Sequence, residues 1–246
     1  MSPATTSQRF SSFDNMSAAD VQALLAGAQS LEGTVGSALK NRHVAVLCEQ
    51  PMSAAVNALA AAAVSLGAAV VRLVPSTLAL RDLTAIRQTA RLLGQLYGVI
   101  CTAGLEPSIN TSLARWAGVP VLSDLTVASH PVQILADLLV MQQHARQPIA
   151  SLTLGLRADT DAASLRAWQQ VSALTGLKIS RFDEPPPADP VQICDFHVGS
   201  GPQPGGSVWQ PLVASGQAAG RCDCLVEQQL DARQRLLKSL MAQVAS

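Results

Sequence analysis

HPVQILADLLVM, residues 130–141, joins a polar pair to an apolar helix, and its reading decides the fold. Ser129 is a residue type that caps helices, and Pro131 suits a first turn, where its missing N–H costs nothing. Ile134, Leu135, Leu138, Leu139 and Met141 form a broad stripe that must be buried. His130 and Gln133 remain at the helix start, where a strand-to-helix loop opens a crevice. A helix is therefore expected over residues 131–144. A polar residue before proline commonly opens a helix, so His130 acquires further meaning only from its surroundings.

Upstream, apolar runs alternate between two periods. Strands are expected over 44–48, 69–74, 99–102 and 119–122, and helices over 16–31, 53–66, 83–97 and 109–117, with Ser17 capping the first. The first dozen residues read as an arm. Downstream, 151–156, 178–182 and 191–198 read as strands, 162–175 as a helix, and 224–244 as a last helix folding back on another element. Strands alternating with helices imply an α/β fold with parallel sheets and right-handed crossovers. PPPAD at 185–189 and GSGPQPGG at 199–206 are turn punctuation. The latter lacks the Lys-Ser/Thr ending of a phosphate loop and reads as a plain loop.

Composition narrows the classes. Over 246 residues, 48% hydrophobic and 14% charged, a folded chain is expected, with surface buried in an oligomer. Zero formal net charge provides no broad attraction to nucleic acid or anionic lipid, so neither is an expected partner. Cys48, Cys101, Cys194, Cys222 and Cys224 are odd in number and read as reduced thiols of a cytoplasmic protein. Cys222 and Cys224 have no second ligand pair at metal-binding spacing, and no metal or cofactor is expected. The N-terminus lacks the apolar run of a signal peptide, and Ala58 to Val71 is too short and interrupted to span a membrane.

Five blocks in order carry a resemblance. HPVQILADL resembles the H-P-x-Q-x-L-A-D-L motif of the ornithine and aspartate carbamoyltransferases, within VPVLSDLTVASHPVQILADLLVMQQH. RFSSFDNMSAADVQALLAGAQSL is similar to that family's opening helix, and TARLLGQLYGVI to its D-T-A-R-V-L-x-x-M-Y-D-x-I segment. SLTLGLRADTDAASLRAWQQVSALTGLKISRF resembles the opening of the amino-acid domain, and VEQQLDARQRLLKSLM the closing helix. The resemblance is closest to ornithine carbamoyltransferase. It implies two doubly wound parallel-sheet domains with an interdomain crevice, the second shortened. A carbamoyl-phosphate-binding-like domain would occupy 1–145, an amino-acid-binding-like domain 146–223, and a helix packing back 224–246. It also implies a trimer meeting through the first domain, with carbamoyl phosphate and an amino acid as ligands. His130 and Gln133 would hold the carbamoyl group as the catalytic pair.

The departures are equally informative. A dianionic donor needs helix N-terminal amides and several arginines. The family's S-T-R-T-R falls on Met52, Ser53, Ala54, Ala55 and Val56, so both arginines are missing, and a further family arginine falls near Cys101. At about 1.5–3 kcal/mol per charged hydrogen bond, three losses remove roughly 4.5–9 kcal/mol, or about three to six decades of affinity. Arg81, Arg87 and Arg157 are the candidate substitutes, and Glu49 reads as structural. On the acceptor side an Asn pair is replaced by Thr160 and Asp161. Asp195 matches either the D-x-x-x-S-M-G loop or an earlier strand aspartate. The H-C-L-P motif has no clean counterpart, because Cys224 and Leu225 lie too close to the closing helix. The missing length implies a shortened lid. The substrate-binding positions are thus Ser53, Ala54, Ala55, Cys101, Thr160, Asp161 and Asp195. The expectation is a weakened or inactive paralogue acting as a structural or regulatory subunit, alone or mixed with an active transcarbamylase. An active carbamoyltransferase and a small-molecule sensor are the alternatives.

Overall fold

The computed structural model describes residues 10–30, 36–182, 196–198, 212–215 and 222–245. Its elements in chain order are α1 (Ala18–Ser30), β1 (His43–Cys48), α2 (Ala54–Ser65), β2 (Ala69–Leu73), α3 (Leu83–Leu96), β3 (Val99–Ala103), α4 (Pro107–Trp116), β4 (Val121–Leu122) and α5 (Pro131–Ala145). There follow β5 (Thr153–Arg157), α6 (Ala162–Thr175), β6 (Lys178–Phe182), β7 (Phe196–Val198), β8 (Leu212–Ser215), β9 (Cys222–Cys224) and α7 (Val226–Ala245). Outside the described residues lie most of the N-terminal arm, both turn-rich loops and Asp195.

The first sheet runs β2-β1-β3-β4, all parallel. β1 and β3 are central, and apart from His43 every residue in them is buried, as expected for a run apolar on both faces. Pro120 has no N–H for a ladder, so β4 begins at Val121, later than the sequence pattern suggests. The Pro120 carbonyl still accepts from the Ile100 N–H at 2.9 Å. The second sheet runs β6-β5-β7-β8-β9; β5, β6 and β7 are parallel, and β8 and β9 close it as antiparallel strands. These last two were not foreseen, and α7 starts at Val226 because Cys224 belongs to β9.

Polar side chains stop and start the helices. Asp82 accepts from the Ala85 N–H at 2.9 Å to open α3, and Asp161 accepts from the Ser164 N–H at 2.9 Å to open α6. Gly176, at φ +77, ends α6 in the left-handed conformation. Gly94 lets α3 approach the chain after α4: an added Cβ would lie 1.7 Å from the Ala117 carbonyl oxygen.

One large core joins α1, α2, α5 and α7 to one face of the first sheet and continues into the second through Leu154, Trp168 and Phe196. A smaller core, with Leu47, Leu93, Ile100 and Leu113, lies between the opposite face and α3 and α4. The last helix packs back on α1, α2 and α5, as the sequence suggested. Among the described residues no helix is long and apolar enough to cross a membrane.

Candidate functional site

The strand order sets the location. The chain moves outward from β1 to β2 and then crosses back to β3, so the strand order reverses beside β1, and in such a sheet ligands bind at the carboxyl ends of the central strands. α2 starts after β1 and α5 after β4, on either side of β3. The strands they follow, β1 and β4, are two strand spacings apart, roughly 10 Å.

His130, not Ser129, is the N-cap of α5. Its backbone is extended, as a residue before proline prefers, and its Nδ1 accepts from the Val132 N–H at 3.1 Å. The ring is 6% exposed, and burial pulls its pKa down to about 4. The neutral ring with Nδ1 as acceptor carries its proton on Nε2, leaving an N–H suited to a carbonyl oxygen.

Gln133, one turn on, is 3% exposed. Its Nε2 donates to the Leu125 carbonyl, and its Oε1 accepts no hydrogen bond among the described residues. Gln133 also lines a cavity of about 20 Å³ with Ala128, Asp137, Ser164, Trp168 and Arg233, where α5, α6 and α7 meet. That volume fits one water molecule and nothing as large as a phosphorylated donor. Asp137 accepts from Gln229 Nε2 at 2.7 Å and faces Arg233 Nη2 at 3.5 Å. Burial raises the Asp137 pKa, against the pull of Arg233 and Gln229, and lowers that of Arg233.

The start of α2 differs. Ser53 is its N-cap, with Oγ accepting from the Val56 N–H at 3.4 Å. Ala54 and Ala55 form the first turn, Met52 is 77% exposed, and Val56 is 2% exposed. The cation nearest this loop was missed in the sequence: Arg72, from edge strand β2, donates to the Pro51 carbonyl at 2.6 Å and to Met52 Sδ at 3.5 Å. Its position in an outward-facing strand gave no signal of a contact 21 residues away.

Among the described residues, none of the three candidate substitutes forms a polar contact near Ser53 or His130. Arg87 stacks on Trp116 at 4.4 Å, Arg157 forks onto Asp159 at 2.8 and 2.7 Å, and Arg81 is exposed. The carboxyl ends instead carry acids: Glu49 directly follows β1, Glu106 lies three residues beyond β3, and Asp124 two beyond β4. Glu49 accepts from the Ser76 N–H at 3.2 Å. Asp124, at φ +57, accepts from Asn110 Nδ2 at 2.9 Å, and Thr102 Oγ1 donates to Asn110 Oδ1 at 2.8 Å, a network the sequence did not reveal. Burial raises the Asp124 pKa against the Asn110 bond.

Of the remaining positions, Cys101 lies in the sheet interior, where burial pushes its thiol up to about 12, so it stays protonated and packs. Thr160 and Asp161 sit beyond β5 at the start of α6, and the Thr160 N–H donates to the Arg157 carbonyl at 3.1 Å. Burial raises the Asp161 pKa, but bonds from Ser164 and Ala163 bring it net below the usual value. Ser164 shares the cavity with Gln133, so α6 reaches the start of α5. Among the described residues no three His, Cys, Asp or Glu side chains cluster as metal ligands.

Residues 8–143 match the family model described as "Aspartate/ornithine carbamoyltransferase, carbamoyl-P binding domain". The catabolic ornithine carbamoyltransferase of Clostridium perfringens is 36% identical over 133 residues, 54% of this chain and 40% of that protein. The ornithine carbamoyltransferase of Cutibacterium acnes is 32% identical over 166 residues, 66% of this chain and 49% of that protein. The matches thus span two fifths to half the length of these curated relatives. The crystal structure of the Thermus thermophilus ornithine carbamoyltransferase superposes with a TM-score of 0.73 over 96% of this chain and 98% of that one, at 22% identity, a likeness of fold.

Proposed function

The chain belongs to the aspartate/ornithine carbamoyltransferase family, and from that premise we propose that it is a member that has lost effective use of carbamoyl phosphate and serves as a structural or regulatory subunit. One observation carries this reading. The start of α2, where the family holds S-T-R-T-R, reads Met52-Ser53-Ala54-Ala55-Val56, and its one hydroxyl is engaged as a cap. The α2 dipole and the Ser53 hydroxyl provide on the order of 1 kcal/mol, far less than two forked guanidinium contacts. Glu49, Glu106 and Asp124 make the same edge unfavourable to a dianion. In this reading the first domain covers 1–145, a shortened second domain 146–223 and the returning helix 224–246. The protein is cytoplasmic and assembles as a homotrimer or with an active transcarbamylase.

The decisive assay measures citrulline and carbamoyl-aspartate formation by the pure protein at high concentration. Product at background, together with stoichiometric assembly with an active transcarbamylase or a stable homotrimer, supports the reading. Sustained carbamoyl-phosphate-dependent turnover that disappears in His130→Ala overturns it.

A second reading, an active enzyme carbamoylating the amino group of an ornithine-like acceptor, is favoured by His130. A neutral imidazole whose Nδ1 is taken by the cap, so that its proton sits on Nε2, is suited to polarise the carbamoyl carbonyl while a neutral amine attacks. Gln133 would hold the carbamoyl amide, and Thr160, Asp161 and Asp195 would face the acceptor.

A further inference from the structure

Zero net charge conceals a separation of charge along the first sheet. His43 of β1 lies opposite Ala69 of β2, Val44 opposite Val99 of β3, and Ile100 opposite Val121 of β4, so the four strands begin at nearly one level. The segments that meet at this amino end, 36–43, 66–69, 91–98 and 115–120, contain Lys40, Arg42, His43, Arg91 and Arg115 and no Asp or Glu. Lys40, Arg42, Arg91 and Arg115 are exposed, and none of them forms an ion pair among the described residues. Glu49 and Glu106 lie at the opposite, carboxyl end.

Helix dipoles account for part of this. α2, α3 and α4 all end at the amino end, and each presents roughly half a negative charge there, about 1.5 in all, against the four full charges of Lys40, Arg42, Arg91 and Arg115. The surplus is positive, and the dipoles leave the apolar groups unexplained. Leu92 and Leu96, in the last turns of α3, are 55% and 56% exposed. Trp116 is half-buried at the end of α4, with the guanidinium carbons of Arg87, Arg91 and Arg115 at 4.4, 5.8 and 4.9 Å from its ring centroid. The Arg42 side chain lies across Gly98, where an added Cβ would meet its Cδ at 3.3 Å.

We propose that this basic, leucine-bearing rim is a docking surface for an anionic lipid leaflet. Its cations come from three separate connections and lie across the end of a sheet, an array that a charged plane meets all at once. Nucleic acid would pair with the arginines and leave the leucines in water. An acidic protein would need a surface shaped to three unrelated loops, whereas lipid headgroups arrange themselves around each cation. Leu92 and Leu96 enter the acyl boundary, and the arginine-flanked indole sits at headgroup level, with the arginine stems spanning both zones. The contact is peripheral and reversible. It goes beyond the non-catalytic reading and is independent of it, because the rim lies at the far end of the sheet from Ser53 and His130.

Co-sedimentation of the full chain with vesicles of phosphatidylcholine alone, or of phosphatidylcholine mixed with phosphatidylserine, tests it. Binding is expected with the mixed vesicles only, weakening as salt rises. Arg91→Gln/Arg115→Gln is expected to lower the partition about 25-fold, at about fivefold per cation, with unchanged circular dichroism. Leu92→Ser/Leu96→Ser should lower it at least about tenfold. Arg81→Gln, which removes an exposed arginine at the carboxyl end, leaves binding unchanged. Failure to bind the mixed vesicles, equal binding to both kinds, or a loss in Arg81→Gln equal to that in the rim variants overturns the proposal. So does a rim that takes soluble polyglutamate as tightly as vesicles and ignores the leucine changes, the behaviour of a docking site for an acidic protein. An active enzyme that binds the mixed vesicles through this rim would leave this inference standing and remove the non-catalytic reading.

Discussion

Two helix starts face the same sheet edge, α5 after β4 and α2 after β1, and they have been treated differently. Both are capped by a side chain, His130 through Nδ1 and Ser53 through Oγ. A cap needs only one acceptor, and the residues that follow it in α2 are Ala54, Ala55 and the buried Val56, while the one cation placed beside the loop among the described residues, Arg72, is bound to the Pro51 carbonyl. At α5 more is kept than packing requires. Gln133 places an amide oxygen inside the protein with no donor among the described residues, a costly arrangement that an apolar side chain would avoid. Local packing therefore accounts for the start of α2 and for His130 as a cap, but leaves the Gln133 amide oxygen without a partner among the described residues. In the reading proposed above, the donor-gripping half of the site has gone and its carbonyl-binding half remains.

The sharpest test returns an arginine to α2. Val56→Arg would place a guanidinium at a position only 2% exposed, with no carboxylate paired there among the described residues. An unpaired buried charge costs about 3–5 kcal/mol, read as a fall in the urea midpoint at unchanged m. A cost below about 1 kcal/mol would mean that this turn still opens to admit a cation, and the contrast between the two starts would collapse.

Next in size is the acid dependence of α5. Unfolded, His130 titrates near 6.5, and folded, near 4, so between these values the unfolded chain takes up the proton first. Stability contributed by the neutral ring is complete above pH 6.5 and is lost as pH falls toward 4, by up to about 3 kcal/mol. Asp137, raised by burial, works in the opposite sense, since its protonated form is favoured by folding and stability falls as pH rises above 3.8. Comparing His130→Asn, which keeps a cap, with the unaltered protein isolates the histidine. Equal acid limbs in urea titrations at pH 4.5 and 7 would show that the ring is not held neutral.

Much of this was legible in the sequence, for reasons that also mark where legibility stopped. The helix from Pro131 and the central strands follow from period alone. The cap was misassigned to Ser129 because serine is the commoner type, whereas an extended residue before proline with a ring acceptor performs the same task. β8 and β9, reading LVAS and CDC, are too short to display alternation. Arg72 on the Pro51 carbonyl and Gln229 on Asp137 are tertiary contacts between segments with no shared pattern. The arginines proposed as replacements were chosen by charge, and the structure engages Arg87 with an indole and Arg157 with its neighbour Asp159.

A smaller effect is expected from Ala54→Arg, the other family arginine. A charged hydrogen bond to phosphate is worth about 1.5–3 kcal/mol, so carbamoyl phosphate or inorganic phosphate should bind about ten to a hundredfold more tightly by calorimetry. The gain should be larger in Glu106→Gln, which removes a negative charge from the same edge. No gain in either background would mean that more than the missing cations prevents anion binding at α2.

Ser53→Ala is the mildest change and separates a cap from a ligand most cleanly. Its Oγ accepts one bond, from the Val56 N–H at 3.4 Å, so its removal should cost about 1 kcal/mol of stability, as for other helix caps. Ser53→Asp should recover that loss, because a carboxylate caps equally well and favours the positive end of the helix. The same aspartate would repel a phosphorylated ligand. If Ser53→Asp matches the unaltered protein in stability and in its response to phosphate, Ser53 is a cap and nothing else. Should Ser53→Asp be as stable yet abolish a phosphate response that the unaltered protein has, the start of α2 still reads anions, and its kinship with the start of α5 is closer than its side chains suggest.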